Sequence, residues 1–235
     1  MSPKYKRILL KLSGEALAGS KSCGIDFETM KPIINAIKQC HEMGVQIAIV
    51  VGGGNFWRGR SSGNMNRIKA DHMGMLATVI NALGLSDALE QAGVKNEVMT
   101  AIAFPQVGEL YSPKKAIENL EKGKIVIFAY GTGNAFFSTD TAASLRAAEI
   151  EANAIFKATN IDGVYDSDPN LNPNAKKYTE VTFNEVLAKN LKVMDASAAS
   201  MCRDNDIDVL VFSIKEPENL IKTANGENLG TRAKA

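Results

Sequence analysis

Apolar residues recur along the chain with two different spacings. Short, nearly continuous apolar runs occur at 7–12 (RILLKL), 45–51 (VQIAIVV), 96–103 (NEVMTAIA), 124–130 (KIVIFAY), 153–159 (NAIFKAT) and 208–212 (DVLVF). These read as strands, and VQIAIVV has the unbroken apolarity of a strand covered on both faces. Between them the spacing turns helical. Ile33, Ile34, Ile37 and His41 share a face within 27–43, and Leu76, Val79, Ile80 and Leu83 fall at i, i+3, i+4 and i+7 in a long helix from Asp71 to Ala92. Further helices are expected near 113–122, 140–151, 182–189, 195–205 and 216–224. Alternating strands and helices predict an α/β fold, a mostly parallel sheet covered by helices. No fixed-period repeat or low-complexity linker interrupts it. The longest irregular stretch, 160–178, is long enough to be a functional loop. In such sheets ligands gather beyond the carboxyl ends of the strands, and the Gly-rich segments fall on that edge.

Composition narrows the class. A chain of 235 residues, 45% hydrophobic, buries roughly 70–75% of its unfolded surface and fits one domain or two tightly packed lobes. A net charge of +1 gives no basic field for nucleic acid or a membrane surface. Cys23, Cys40 and Cys202 form no CxxC pair, so neither a disulfide framework nor a zinc site is indicated. The N-terminal apolar run is too short for a secretory signal, and no stretch approaches the ~20 residues of a membrane span. A cytoplasmic protein is expected.

Five segments carry candidate chemistry. Lys11-Leu12-Ser13-Gly14-Glu15 places a cation at a strand end, then small residues whose N–H groups can approach a phosphate; the same pattern also suits a plain turn. The nearby Gly14-xxxx-Gly19-Ser20-Lys21 has lysine and hydroxyl in the wrong order for a P-loop. Gly52-Gly53-Gly54-Asn55 follows a buried strand, and consecutive glycines allow left-handed or close-approach backbone there. Arg58, four residues beyond Gly54, suits a fork onto phosphate oxygens. Gly131 to Asp140 (GTGNAFFSTD) leads from a strand into a helix, with Ser138, Thr139 and Asp140 as caps or as anion contacts. Asp162 to Pro169 (DGVYDSDP) fits either an Asx-type turn or a grip on adenosine; it lacks EF-hand spacing. Asp195 in Met194-Asp195-Ala196-Ser197 caps a helix or serves the reaction centre. Of the two histidines, His41 belongs to an amphipathic helix and His72 follows Asp71 near a helix start, with no nucleophile triad.

Taken together these segments resemble the amino acid kinase superfamily, and within it the bacterial uridylate kinases. The most specific block is Met65-Asn66-Arg67 through Asp71-His72-Met73-Gly74-Met75-Leu76-Ala77-Thr78, and GGGNFWRG, GTGNAFFSTDTAA, DGVYDSDP and MDASA appear in family order over nearly the whole chain. The resemblance implies an α/β/α sandwich with a sheet of about eight strands. Its N-terminal part (about 1–150) would take the acceptor and its C-terminal part ATP. It implies reversible transfer of the ATP γ-phosphoryl group to UMP, with Mg²⁺ carried on ATP, in pyrimidine nucleotide biosynthesis. Lys11, Leu12, Ser13, Gly14, Gly54, Arg58, Thr159, Tyr165 and Asp168 match the ATP side. Gly53, Asp71 and the run Thr132, Gly133, Asn134, Ala135, Phe136, Phe137, Ser138, Thr139 match the UMP side. Asp140 and Asp195 match acidic residues beside the reacting phosphates, Asp195 orienting Lys11. The turn Gly19, Ser20, Lys21, Ser22, Cys23, Gly24 corresponds to an effector-linked hairpin. Family members are homohexamers, many activated by GTP and inhibited by UTP. The chain departs at Ala135 (commonly Pro), Ser138 (commonly Thr) and Asn153 (commonly Asp). A related kinase with another acceptor, or a non-catalytic nucleotide-binding protein on the same fold, are the alternatives. Asp71 is expected to meet the ribose hydroxyls, since a carboxylate repels the UMP phosphate.

Overall fold

The computed structural model describes residues 3–57, 63–169 and 171–234. A nine-stranded sheet runs through the molecule in the order β4-β3-β5-β2-β1-β6-β10-β11-β9. Its strands are β1 (Arg7–Leu12), β2 (Gln46–Val51), β3 (Asn96–Thr100), β4 (Glu109–Leu110), β5 (Ile125–Ala129), β6 (Ala154–Thr159), β9 (Glu180–Thr182), β10 (Asp208–Ser213) and β11 (Thr231–Lys234). All pairings are parallel except β10 with β11. Nine strands rather than about eight arise because β4, β9 and β11, at or next to the edges of the sheet, are short pieces of two to four residues. They carry too little apolar periodicity to read from sequence. The segment 160–178 is not wholly irregular either: β7 (Val164–Tyr165) and β8 (Lys177–Tyr178) pair as a small hairpin.

Alternation along β1 sorts the core into two layers. Ile8, Leu10 and Leu12 face α1 (Gly14–Ala18), α2 (Phe27–Glu42), α3 (Arg67–Gln91) and α8 (Asn219–Ala224); Leu9 faces α4 (Pro113–Glu121), α5 (Thr139–Glu149), α6 (Phe183–Ala188) and α7 (Ala196–Asp204). The three-layer expectation therefore holds. Central strands are buried on both faces, which is why their sequence reads as unbroken apolar runs. Tyr5, Phe156 and Phe212 stack edge to face at centroid distances of 5.3 and 6.0 Å, a geometry worth about 0.5–1.5 kcal/mol per pair beyond burial.

Helix α3 corrects the sequence reading at its start and adds to it along its length. Helix α3 starts at Arg67, four residues before the expected Asp71, because Asn66 is its N-cap, accepting from Lys69 N. Asp71 therefore caps nothing. Along the same helix Leu76, Ile80 and Leu83 are exposed and only Val79 of that expected stripe is buried. The buried face is instead Ala70, Ala77, Thr78, Asn81, Ala82, Leu85 and Leu89. The apolar stripe points away from this chain's core.

Asn153 lies at the amino edge of the sheet. Its Oδ1 accepts from Lys6 N at 2.9 Å and Arg7 N at 2.8 Å, six residues of β6 away from the site edge, or roughly 20 Å.

Candidate active site

The parallel strands deliver their carboxyl ends to one edge. There, β1 has β2 on one side and β6 on the other, so connections leave in opposite directions and a crevice opens. A cavity of about 530 Å³ sits at this point. It is lined by the β1–α1 turn (Lys11, Ser13, Gly14, Glu15), the glycine loop (Gly52, Gly53, Gly54), Trp57, the start of α3 (Arg67, Asp71, Gly74, Met75, Thr78) and the loop into α5 (Gly131, Thr132, Phe137, Ser138, Thr139). Four of the five sequence segments supply the site or its support; the DGVYDSDP segment stays outside this cavity.

Gly14 and Gly53 are required by close approach rather than by left-handed backbone, whereas Gly131 is left-handed at φ 56°. A Cβ on Gly14 would stand 2.3 Å from Asn55 Oδ1 and 2.7 Å from Gly52 O, and one on Gly53 would stand 2.6 Å from Gly74 O. The β1–α1 turn, the glycine loop and α3 thus pack backbone to backbone, and any side chain would pry them apart. Helix α3 begins well beyond the glycines, so they open a turn and not a helix. Arg58 lies outside the described residues.

The charged centre lies on the α5/α7 side of the sheet. Lys11 and Lys157 are register partners on β1 and β6. Lys11 Nζ is 3.1 Å from Asp140 Oδ1, and Lys157 Nζ donates to Asp140 Oδ2 at 2.8 Å. Asp140 is in the first turn of α5, where the helix dipole also favours a carboxylate. Burial pushes its carboxyl up, but the two ammonium groups outweigh this and hold it below the usual carboxylate range. Burial, together with Lys11, pulls Lys157 below the ordinary lysine range, with Asp140 opposing. Lys157 also donates to Val193 O. No sequence motif pointed to Lys157. The available signal was a cation inside the apolar run AIFKAT of a strand covered on both faces.

Asp195 does not orient Lys11. It accepts from Ser138 Oγ, from Thr141 Oγ1 at 3.1 Å and from Ala198 N at 3.1 Å, where it caps α7. Ser138 in turn caps α5, accepting from Asp140 N and Thr141 N. Asp195 therefore ties the start of α7 to the start of α5 and sets the position of Asp140. The hydroxyl of Ser138 does this without the methyl of the commoner threonine.

Helix α3 pins both ends of the 131–137 loop. Tyr130 and Phe136 adopt left-handed backbone, φ 65° and 72°, an arrangement costing about 1–3 kcal/mol per non-glycine residue and maintained only by its surroundings. Tyr130 N donates to Thr78 Oγ1 at 2.9 Å, and the Tyr130 hydroxyl lies 2.8 Å from His72 Nδ1. Phe136 N donates to Asp71 Oδ2 at 2.8 Å. Arg67 Nε donates to both Asp71 oxygens at 2.8 Å, and its guanidinium sits over the Phe136 ring. Thr132, Phe137, Ser138 and Thr139 reach the cavity; Gly133, Asn134, Ala135 and Phe136 form the outer part of the loop. Trp57, Arg67, Gly74, Met75 and Thr78 also line the cavity, though the sequence reading assigns them no site role.

The remaining expected ATP-side residues stay outside this cavity. Thr159 Oγ1 donates to Ile161 O, Tyr165 Oη donates to Asp162 Oδ1 at 2.8 Å, and Asp168 lies 3.9 Å from Lys192 Nζ. Thr159 ends β6, and Tyr165 and Asp168 follow it in the segment beyond. The Leu12 side chain is buried in the core, and its carbonyl accepts from Gly52 N. The 19–24 turn joins the glycine loop through Gly24, whose carbonyl accepts from Asn55 Nδ2 and whose N–H donates to Asn55 O.

The fold is shared with known proteins. The amino acid kinase family model matches residues 6–213. A UMP kinase from Bacillus anthracis has a similar structure, with TM-score 0.94 and 37% identity, covering 98% of this chain and 96% of that one. A UMP kinase from Ureaplasma parvum gives TM-score 0.93 and 40% identity over 99% and 100%. A uridylate kinase from Archaeoglobus fulgidus gives 0.72 and 26% over 96% and 99%.

Proposed function

The chain belongs to the amino acid kinase family, and on that footing we propose that its site moves the γ-phosphoryl group of ATP onto UMP, giving UDP and ADP. It is a uridylate kinase, a nucleoside monophosphate phosphotransferase. The observation that carries the reading is the Lys11–Asp140–Lys157 cluster at the edge where three phosphate-sized turns converge.

Phosphoryl transfer asks for alignment and charge compensation more than covalent work. The attacking UMP phosphate oxygen is already anionic and needs no general base. Two polyanions must instead be brought together. Lys11, at the cavity wall, neutralises charge on the transferring group. Asp140 sets its direction, with Lys157 balancing the second carboxylate oxygen so that Asp140 adds little net negative charge. Gly53, Gly54 and the 131–139 loop offer backbone N–H groups, and Arg58 a guanidinium.

Mg²⁺ would arrive on the ATP phosphates, adding charge neutralisation there. Both Asp140 oxygens already face ammonium groups, and no group of three acidic, His or Cys side chains gathers among the described residues, which fits a metal held by phosphate and water.

On the acceptor side, Asp71, which lines the cavity, meets the ribose hydroxyls. Thr159, Tyr165 and Asp168 take the adenosine side. Homohexamer formation, activation by GTP, inhibition by UTP through the 19–24 turn, and a cytoplasmic place in pyrimidine synthesis complete the reading. The exposed stripe Met73, Leu76, Ile80 and Leu83 on α3 supports assembly, and no helix among the described residues is long and apolar enough to cross a membrane. ADP release on addition of UMP tests the reaction itself.

A further inference from the structure

Behind the glycine loop lies a pair of asparagine side chains that the chemistry above does not use. Asn81 and Asn55 are 0% and 4% exposed. Asn81 Nδ2 donates to Gly52 O and to Asn55 Oδ1, each at 2.7 Å. Asn55 Nδ2 donates to Asn81 Oδ1 at 2.9 Å and to Gly24 O at 2.8 Å. All four amide hydrogens are spent, and both side-chain carbonyls accept. Two buried carboxamides in an otherwise apolar helix–sheet seam are costly unless fully satisfied. An apolar pair of the same volume would fill the space without that constraint.

The gain lies in the direction of one peptide. A loop that presents N–H groups to an anion must turn its carbonyls the other way, into the protein. Glycines have no side chain to fix that orientation. The Gly52–Gly53 peptide is trans, as no peptide among the described residues is cis, so holding Gly52 O toward Asn81 aims the Gly53 N–H oppositely, toward the cavity that Gly53 lines. Asn55 then sets the distance to the other phosphate turn. Its Oδ1 occupies the space where a Gly14 side chain would stand.

We propose that Asn81 and Asn55 are positioning residues for phosphoryl transfer, fixing the Gly52–Gly53 peptide and its spacing to the β1–α1 turn. The inference rests on the uridylate kinase reading. Neither residue touches substrate; both act through the glycine loop.

Asn81→Leu keeps the volume and removes both donors. Misplacing a reacting group by about an ångström costs on the order of 10²-fold in rate, so kcat should fall by about that factor while the KM for UMP changes little. Peptide hydrogen exchange over 51–57 should accelerate. Leu120→Ala, a buried change beneath α4 and away from the cavity, serves as the control for general destabilisation. Asn81→Ala, whose vacated space admits a water, is the milder variant should Asn81→Leu not fold. A kcat loss no larger than that of Leu120→Ala at equal loss of Tm, with unchanged exchange over 51–57, overturns the proposal. Should the wild-type protein itself fail to phosphorylate UMP, the kinase reading falls, and the exchange measurement alone decides whether the pair holds the loop.

Discussion

Lys11 and Lys157 stand opposite one another on adjacent parallel strands, and a single carboxylate, Asp140, receives both ammonium groups, one on each oxygen. Only Lys11 lines the cavity. On the kinase reading proposed above, the two lysines would divide the work: Lys11 facing the transferring phosphoryl group, and Lys157 holding Asp140 from behind. Removing one preorganised charge at such a position costs ~10²–10³ in rate, about 2.7–4 kcal/mol. Lys11→Met should lower kcat by that amount and leave the protein folded, because Asp140 keeps Lys157. Steady-state kinetics with a melting curve check both halves, and near-normal kcat in a folded variant removes Lys11 from its role.

Asp140→Asn should be costly to the fold as well as to the reaction. It leaves the buried Lys157 without its counter-ion, and breaking a buried pair costs about 3–5 kcal/mol. The pH dependence has a definite sign. The folded carboxyl is held below its ordinary value, so its contribution is present above the unfolded value of about 3.9 and is lost as pH falls below that. Wild type should lose Tm on acidification through this window, and Asp140→Asn should show a flatter acid limb from a lower plateau. Parallel curves for the two proteins would deny Asp140 this part.

The layered fold, the central strands and the helices that carry the site were legible because buried parallel strands and amphipathic helices leave strong periodic signals. The short strands β4, β9 and β11 left none, since two to four residues carry no period. The glycine segments were legible as turns, but whether Gly53 served φ or close approach depended on Gly74 O, twenty-one residues away. Lys157 was missed because its meaning comes from register with Lys11, which only sheet pairing supplies. The stripe on α3 was legible as helical spacing, but apolarity alone does not say whether this chain or a neighbouring copy covers it.

Among the described residues, Asp71 pairs with Arg67 and accepts from the Phe136 N–H. If it also meets the ribose, wild type should prefer UMP to dUMP strongly in kcat/KM, since a site built around a hydroxyl is left with an unpaired polar group by the analogue lacking it. Asp71→Asn keeps an acceptor for Phe136 N, so the loop should survive while that preference weakens. An unchanged UMP/dUMP ratio would confine Asp71 to holding the loop.

Met73, Leu76, Ile80 and Leu83 fall at i, i+3, i+7 and i+10 on the exposed side of α3, one continuous ridge. In a hexamer this ridge is covered by a neighbouring copy. Light scattering at micromolar concentration should give about six times the chain mass of 25.3 kDa. Ile80→Glu should yield a smaller species with its fold intact, because a buried charge without a partner disfavours the interface. A wild-type monomer would contradict the assembly.

Acceptor choice is the most direct test of the whole account. ADP release, followed by a coupled assay with ATP and Mg²⁺, should be fast with UMP, much slower with CMP and AMP, and absent with acetylglutamate. Rapid turnover of acetylglutamate, or no ADP release with any nucleoside monophosphate from protein that binds ATP, would contradict it.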